Sequence, residues 1–183
     1  MSSVPQSRVA RPADSEVAPS FVRYLNLVPE NDIVDVLERQ IDEWKRLAAS
    51  VTPEREDFRY APGKWTVRDV FNHIIDGERV FGYRLLSVMR GEQARLPGFE
   101  ENDYVLVAHD KLARLPELVR EFATVREGTL FLARQLDEET SIRQGNANGF
   151  PTTARGMAWV MAGHMRHHMA GLQQDYGLRS AGP

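Results

Sequence analysis

Three of the five histidines in this chain fall in one short run, Gly163-His164-Met165-Arg166-His167-His168. On an α-helix each residue advances about 100°, so His164 and His168 stand about 40° apart and one turn from each other. Two imidazoles at that spacing can converge on a single divalent cation, as they do in His-x-x-x-His metal helices. With His164 as the reference direction, Met157, Val160, Met161 and Leu172 fall within about 80° of it, and Arg155, Arg166 and Gln173 fall on the far side. The pair therefore sits in the middle of a buried face. Unpaired buried polar groups cost roughly 1–3 kcal/mol each. One metal ion would satisfy both rings; bonds to backbone or to a carboxylate are the plainer alternative, and the one expected of a lone core histidine. His167, about 60° to the flank, either supports the metal ligands from beside them or, on the plainer reading, faces a neighbouring helix.

His73 is the candidate third ligand, at the edge of another apolar stripe and above Gly77 and Val80. Asp76 lies on its polar flank and is a candidate to orient a ligand or a bound water, or to act as a base. Its plainer reading is a solvated charge. Arg84 is about 20° from His73 around the helix but three turns on. It is a candidate for holding an anionic substrate group, against a plainer pairing with Asp103 or Glu127. His109 is read as a surface residue.

Other chemistries lack their parts. There is no cysteine among the 183 residues, so disulfides, thiolate metal sites and cysteine nucleophiles are excluded. No Gly-rich phosphate loop and no Gly-x-Ser-x-Gly elbow occurs. The Glu-x-x-His pairs of di-iron bundles are missing, since Met161 stands where the Glu would be, which argues for one metal and not two. A formal net charge of -3 offers no broad attraction to nucleic acid. No run of 18 or more apolar residues suggests a membrane span, and the first residues lack the apolar core of a signal peptide. A cytoplasmic protein is the expectation.

Four helical segments must position these side chains. The first is expected from Asn31, as cap, to Ala49, with Ile33, Leu37, Ile41 and Trp44 on one face. The second follows the turn Ala61-Pro62-Gly63-Lys64-Trp65, with Thr66 and Asp69 as a capping box, and runs from Val67 to about Arg90. Residues 91 to about 110 read as a long loop, of the kind that often carries function. The third helix is expected from Pro116 to Leu136, and the fourth from Thr152 or Thr153 to Tyr176, stopped by Gly177. Gly145-Asn146-Ala147-Asn148-Gly149-Phe150-Pro151 reads as turn, and no strand-like alternation stands out. The expectation is an all-α domain, a four-helix bundle over residues 21–178, with a flexible N-terminal tail over 1–20 and a short C-terminal tail over 179–183.

Two of these motifs resemble a known family. Pro62-Gly63-Lys64-Trp65-Thr66-Val67-Arg68-Asp69-Val70 followed by His73-Ile74-Ile75-Asp76-Gly77-Glu78-Arg79 resembles the second helix of the DinB/YfiT-like superfamily, and Gly163 to His168 resembles its His-x-x-His-His fourth helix. Leu96-Pro97-Gly98-Phe99 and Asn146-Ala147-Asn148-Gly149 are similar to one branch of it. The likeness spans about Tyr24 to Tyr176. It implies an up-down-down-up bundle, often a homodimer, with His73, His164 and His168 as ligands of one divalent metal. Zinc or nickel is favoured, with iron or manganese behind them. It implies an enzyme that uses a low-molecular-weight thiol, most simply a transferase, or else a hydrolase using metal-bound hydroxide. A stress-response module with a structural metal and a dimerisation face is the non-enzymatic alternative. The substrate is left open.

The pattern predicts about one equivalent of metal in protein purified without a histidine tag, measured by mass spectrometry. A His164→Ala, His168→Ala variant should retain none.

Overall fold

The computed structural model describes residues 9–179. It contains α1 (Val22–Leu25), α2 (Ile33–Ala48), α3 (Val67–Met89), β1 (Arg95–Leu96), α4 (Glu101–Ala108), α5 (Leu115–Ala133), α6 (Glu138–Ser141), β2 (Gln144–Ala147), β3 (Phe150–Thr153) and α7 (Ala154–Gln174). The four long helices form the bundle. α3 packs on α5 and α7, and α2 packs on the same two helices, so α2 faces α3 across a diagonal and α5 faces α7. No helix among the described residues is long and apolar enough to cross a membrane.

Local chemistry starts the helices where the sequence places them, with small shifts. Thr66 Oγ1 accepts from the Asp69 amide at 3.0 Å, and Asp69 Oδ2 accepts from the Thr66 amide at 2.8 Å, closing the capping box of α3. Thr153 caps α7 through the Gly156 amide. α2 is capped by Asp32 and not by Asn31, because Asp32 Oδ1 reaches the Asp35 amide at 3.1 Å. α5 begins at Leu115, with Pro116 in its first turn, and ends at Ala133, short of Leu136.

Three expectations are corrected. The segment from 91 to 110 is not all loop, since it holds β1 and α4, the latter capped by Glu100. The turn-rich run 145–151 is a β-hairpin: Asn148 (φ 54°) and Gly149 (φ 89°) form its two-residue turn, and β2 also pairs in parallel with β1. Asn-Gly is the characteristic residue pair for such a turn. The bundle thus carries a small three-stranded sheet. Finally, of the tail expected over 1–20, residues 9–20 are docked and 1–8 lie outside the described residues; 180–183 of the C-terminal tail also lie outside them. Val17 and Ala18 are buried, and the Glu16 carboxylate binds Arg155 at 2.6 and 2.7 Å and accepts from Thr153 Oγ1 at 2.8 Å. These bonds clip the segment to the start of α7.

The apolar core is divided at mid-height. One cluster holds Leu37, Phe81, Leu130 and Trp159, and the other holds Trp44, Phe71, Phe122 and Leu172. Between them lies a polar layer. Arg126 on α5, 0% exposed, makes a bidentate pair with Glu78 on α3 at 2.7 and 2.8 Å. Its Nη1 donates to Gln40 Oε1 on α2 at 2.7 Å, and Gln40 Nε2 donates to the Ala162 carbonyl of α7 at 2.8 Å. All four long helices meet in this one network.

Removing one partner of a buried pair strands the other charge. Arg126→Ala should lower unfolding stability by about 3–5 kcal/mol, read from urea denaturation, while the exposed pair Arg39–Asp35 should contribute less than about 1 kcal/mol.

Candidate metal centre

His164 and His168 project from α7 towards His73 on α3. Gly77 permits the approach: a Cβ there would lie 2.7 Å from His164 Cε1. Gly163 does the same on the other side, where a Cβ would overlap the Tyr24 carbonyl, so α1 can lie directly on α7. His73 Nε2 stands 3.1 Å from His164 Nε2 and 3.1 Å from His168 Nε2. One ligand atom from each ring lies within 4.8 Å of the others.

Three ring nitrogens so placed cannot satisfy one another. A neutral imidazole presents either an N–H or a lone pair at Nε2, so His73 can form a proper bond to one neighbour only. A cation at the centre would use all three lone pairs. Nitrogens each about 2.0–2.1 Å from one zinc ion stand roughly 3 Å apart, as His73 Nε2 does from the other two, and the whole set lies within 4.8 Å. The residues therefore fit a divalent metal.

The surroundings keep the rings neutral. Burial pushes the His73 pKa down to about 4, helped by His167. Burial, then His73, His167 and Arg23, push His168 down to about 2. His164 is driven well below the usual range by burial and then by the neighbouring histidines. Aromatic rings supply much of that burial. Phe81 and Tyr24 stand edge-on to His164 at 5.2 and 5.6 Å, and Trp65 lies 4.8 Å from His73. Tyr176 donates its hydroxyl to the Trp65 carbonyl at 2.7 Å and so holds that residue.

A cavity of about 440 Å³ opens over the three rings, with walls from Tyr24, Trp65 and Phe81 and a rim that includes Phe99 and Asn148. The rim comes from the segments that read as loop and turn in the sequence. A second cavity, of about 450 Å³, also reaches His168 and is lined by Tyr60 and Tyr176. Trp65, His167 and His168 line both cavities.

The remaining candidates divide. Asp76 does not line the cavity; its Oδ2 accepts from the Asn72 amide at 2.8 Å, it lies 3.8 Å from Arg79, and burial raises its pKa. Arg84 does line the cavity, is buried, and pairs with neither Asp103 nor Glu127. His167 packs 5.0 Å from His168 and 5.6 Å from Tyr24, at the site but outside the triad. His109 is not a bare surface residue, since its Nδ1 lies 2.7 Å from the buried Asp69 carboxylate. Sequence reasoning missed Tyr24, Trp65 and Phe81 as site walls. Their type and spacing match ordinary core residues, so no local signal marks them.

A family model, described as the DinB superfamily, matches residues 36–171, which include all three histidines. The chain belongs to the DinB superfamily. Among solved structures it is similar to YfiT from Bacillus subtilis, described as a probable metal-dependent hydrolase with an unusual four-helix bundle topology. That match has a TM-score of 0.72 at 19% identity and covers 92% of this chain and 94% of that one. It is also similar to a mycothiol-dependent maleylpyruvate isomerase, with a TM-score of 0.65 at 13% identity, covering 84% of this chain and 63% of that one. At such identities these likenesses establish the DinB four-helix bundle fold. No curated protein matches the sequence.

The depressed histidine pKa values make the metal-free protein acid-sensitive. In the unfolded chain these rings titrate near about 6.5. The folded chain therefore binds fewer protons as the pH falls below that value, and stability declines until the folded values are reached, about 4 for His73 and about 2 for His168. Each ring held neutral contributes a slope of about 1.4 kcal/mol per pH unit. Urea denaturation of metal-free protein should show the loss between pH 7 and pH 5, and His168→Gln should lose less over the same interval.

Proposed function

We propose that this DinB-superfamily protein is a divalent-metal-dependent enzyme. His73, His164 and His168 would hold the ion, zinc or nickel first, iron or manganese next, and the reaction would be transfer of a low-molecular-weight thiol to a small electrophile. The observation that carries this reading is the convergence of three neutral imidazoles, two buried and His168 half-buried, beneath an open cavity. A ligand set of three protein nitrogens leaves a coordination position for a reactant, whereas structural sites are closed by four protein ligands. When bound, a divalent cation on three neutral ligands keeps its full charge and lowers the pKa of a thiol or water placed against it.

The residues of the chain divide the remaining work. Tyr24, Trp65 and Phe81 exclude bulk water and present an apolar wall to a reactant. The sulfur gives up its proton and forms a bond to an electrophilic carbon, and the leaving group departs with the bonding electrons. No cysteine of the chain can supply that sulfur, so the thiol comes from solution. Two cavities that share Trp65, His167 and His168 in their walls suit a reaction with two substrates. His167, neutral at pH 7 and lining both cavities, is the group best placed to accept the thiol proton.

Hydrolysis is the second reading. His167 favours it as a neutral base at the site, and the metal dependence stated for YfiT is consistent with it. Asp76, bound to Asn72 and outside the cavity, is not placed to take that role. As a non-catalytic module the chain would carry the same ion as a structural part. We propose that the enzyme works as a cytoplasmic homodimer.

Zinc- or nickel-loaded protein should accelerate alkylation of a small thiol, followed by product absorbance, and chelation should abolish the effect. His168→Ala should cut the rate by at least about 100-fold. Ester cleavage without thiol consumption would favour the hydrolase. Loss of a dimer on chelation, seen by gel filtration with neither activity present, would favour the structural module.

A further inference from the structure

A buried charged group in the cavity wall has no counter-charge among the described residues. Arg84 is 3% exposed and lines the cavity above the histidines. Its Nη2 donates to the Pro97 carbonyl at 2.7 Å, the one hydrogen-bond acceptor it meets among the described residues. Its Nε is buried without a partner. No carboxylate among the described residues lies within ion-pairing distance of it. Burial alone acts on its titration and lowers its pKa. The other buried arginine, Arg126, is matched by the bidentate Glu78 carboxylate. A buried guanidinium left unmatched is costly, because buried charges are ordinarily paired.

Its surroundings point the same way. Arg23 also lines the cavity, where its Nη2 donates to the Tyr24 hydroxyl at 3.0 Å and its guanidinium lies 4.8 Å from the Tyr24 ring; it forms no ion pair among the described residues. The only carboxylate in the lining is that of Glu101, which is exposed at the rim. The cavity is therefore cationic as well as aromatic. Phe81 bridges Arg84 and the histidines, with its ring 5.7 Å from Arg84 Cζ and 5.2 Å from the His164 ring.

We infer that the ligand of this cavity carries a carboxylate that docks on Arg84, with Arg23 adding positive field, while its reactive end lies at the three histidines. This rests on the cavity being the reaction site proposed above. An arginine fork matches a carboxylate in shape, and charge-assisted bonds of this kind are roughly twice as strong as neutral ones. The carboxylate belongs either to the thiol or to its electrophilic partner.

Calorimetric titration of the full-length metal-free protein tests the idea. The probes are succinate, its uncharged analogue succinamide, and mercaptosuccinate. Wild type should bind succinate and not succinamide, and Arg84→Gln should bind succinate about 10- to 100-fold more weakly. Arg84→Lys should fall between the two. Equal binding of succinate and succinamide by wild type would overturn the proposal, and this arm does not depend on any variant folding. Arg84→Gln that is folded by circular dichroism and binds succinate as wild type does would also overturn it, as would succinate binding that requires zinc and ignores Arg84. In zinc-loaded protein, a gain of mercaptosuccinate over succinate that depends on Arg84 assigns the carboxylate to the thiol. A gain independent of Arg84 assigns it to the electrophile. Metal content of every sample separates the two layers: metal bound without succinate preference sinks only the carboxylate, whereas no binding of zinc, nickel, iron or manganese sinks the proposed metal enzyme.

Discussion

The bidentate pair of Arg126 and Glu78 is the contact on which the geometry of this bundle turns. A fully buried guanidinium is tolerated only where its donors are met by acceptors. Here those acceptors come from different helices: Glu78 from α3, and Gln40 and the Leu37 carbonyl from α2. Gln40 passes the constraint to the Ala162 carbonyl of α7. The helices cannot slide or rotate far without breaking part of the network. Apolar clusters above and below resist separation but would accept several registers, since dispersion and hydrophobic burial are not directional. The polar layer is therefore what selects one.

The histidine cluster inherits that selection. Glu78 follows Gly77, whose bare Cα lets the His164 ring approach, and Ala162 precedes His164 by two residues. Met165, next to His164, lies 3.8 Å through its sulfur from Arg126 Nη2. Fixing Glu78 and Ala162 in register thus fixes where the imidazoles of α3 and α7 meet. The aromatic shell of Tyr24, Trp65 and Phe81 then removes water from them, which is the main reason they remain neutral and available as donors. Rigidity at the centre is combined with variety at the rim, where the β-hairpin and the Leu96–Phe99 segment close the cavity. Rims built from such connecting segments vary more freely than the helices beneath them.

Arg84 and Asp76 show how far helical geometry alone can place a residue. Both project from α3 near the face of His73, yet only Arg84 reaches the cavity. Asp76 meets Asn72 on its own helix and Arg79 beside it. The difference lies in what each meets from other elements. Arg84 is drawn under the Pro97 carbonyl, and nothing on α3 itself anticipates that contact.

From the sequence by itself, much of the frame could be read: four long helices, the Thr66–Asp69 capping box, the i, i+4 histidines on a buried face, and His73 on a second apolar stripe. Each depends on capping or on the helical period, which operate within a few residues. The hairpin escaped notice although Asn148-Gly149 announced its turn, because Gln-Gly-Asn-Ala has almost none of the β-branched or aromatic residues that mark strands. Residue type alone does not mark Glu78, Arg126 and Gln40 for the core, since charged and amide side chains are mostly exposed. Only the tertiary structure decided that they meet in the core, that Arg84 is left unmatched at a cavity, and that Asp76 is turned aside. In the polar layer the partners lie 48 to 122 residues apart, and Arg84 meets a carbonyl from beyond its own helix; helical periodicity carries no information about such meetings.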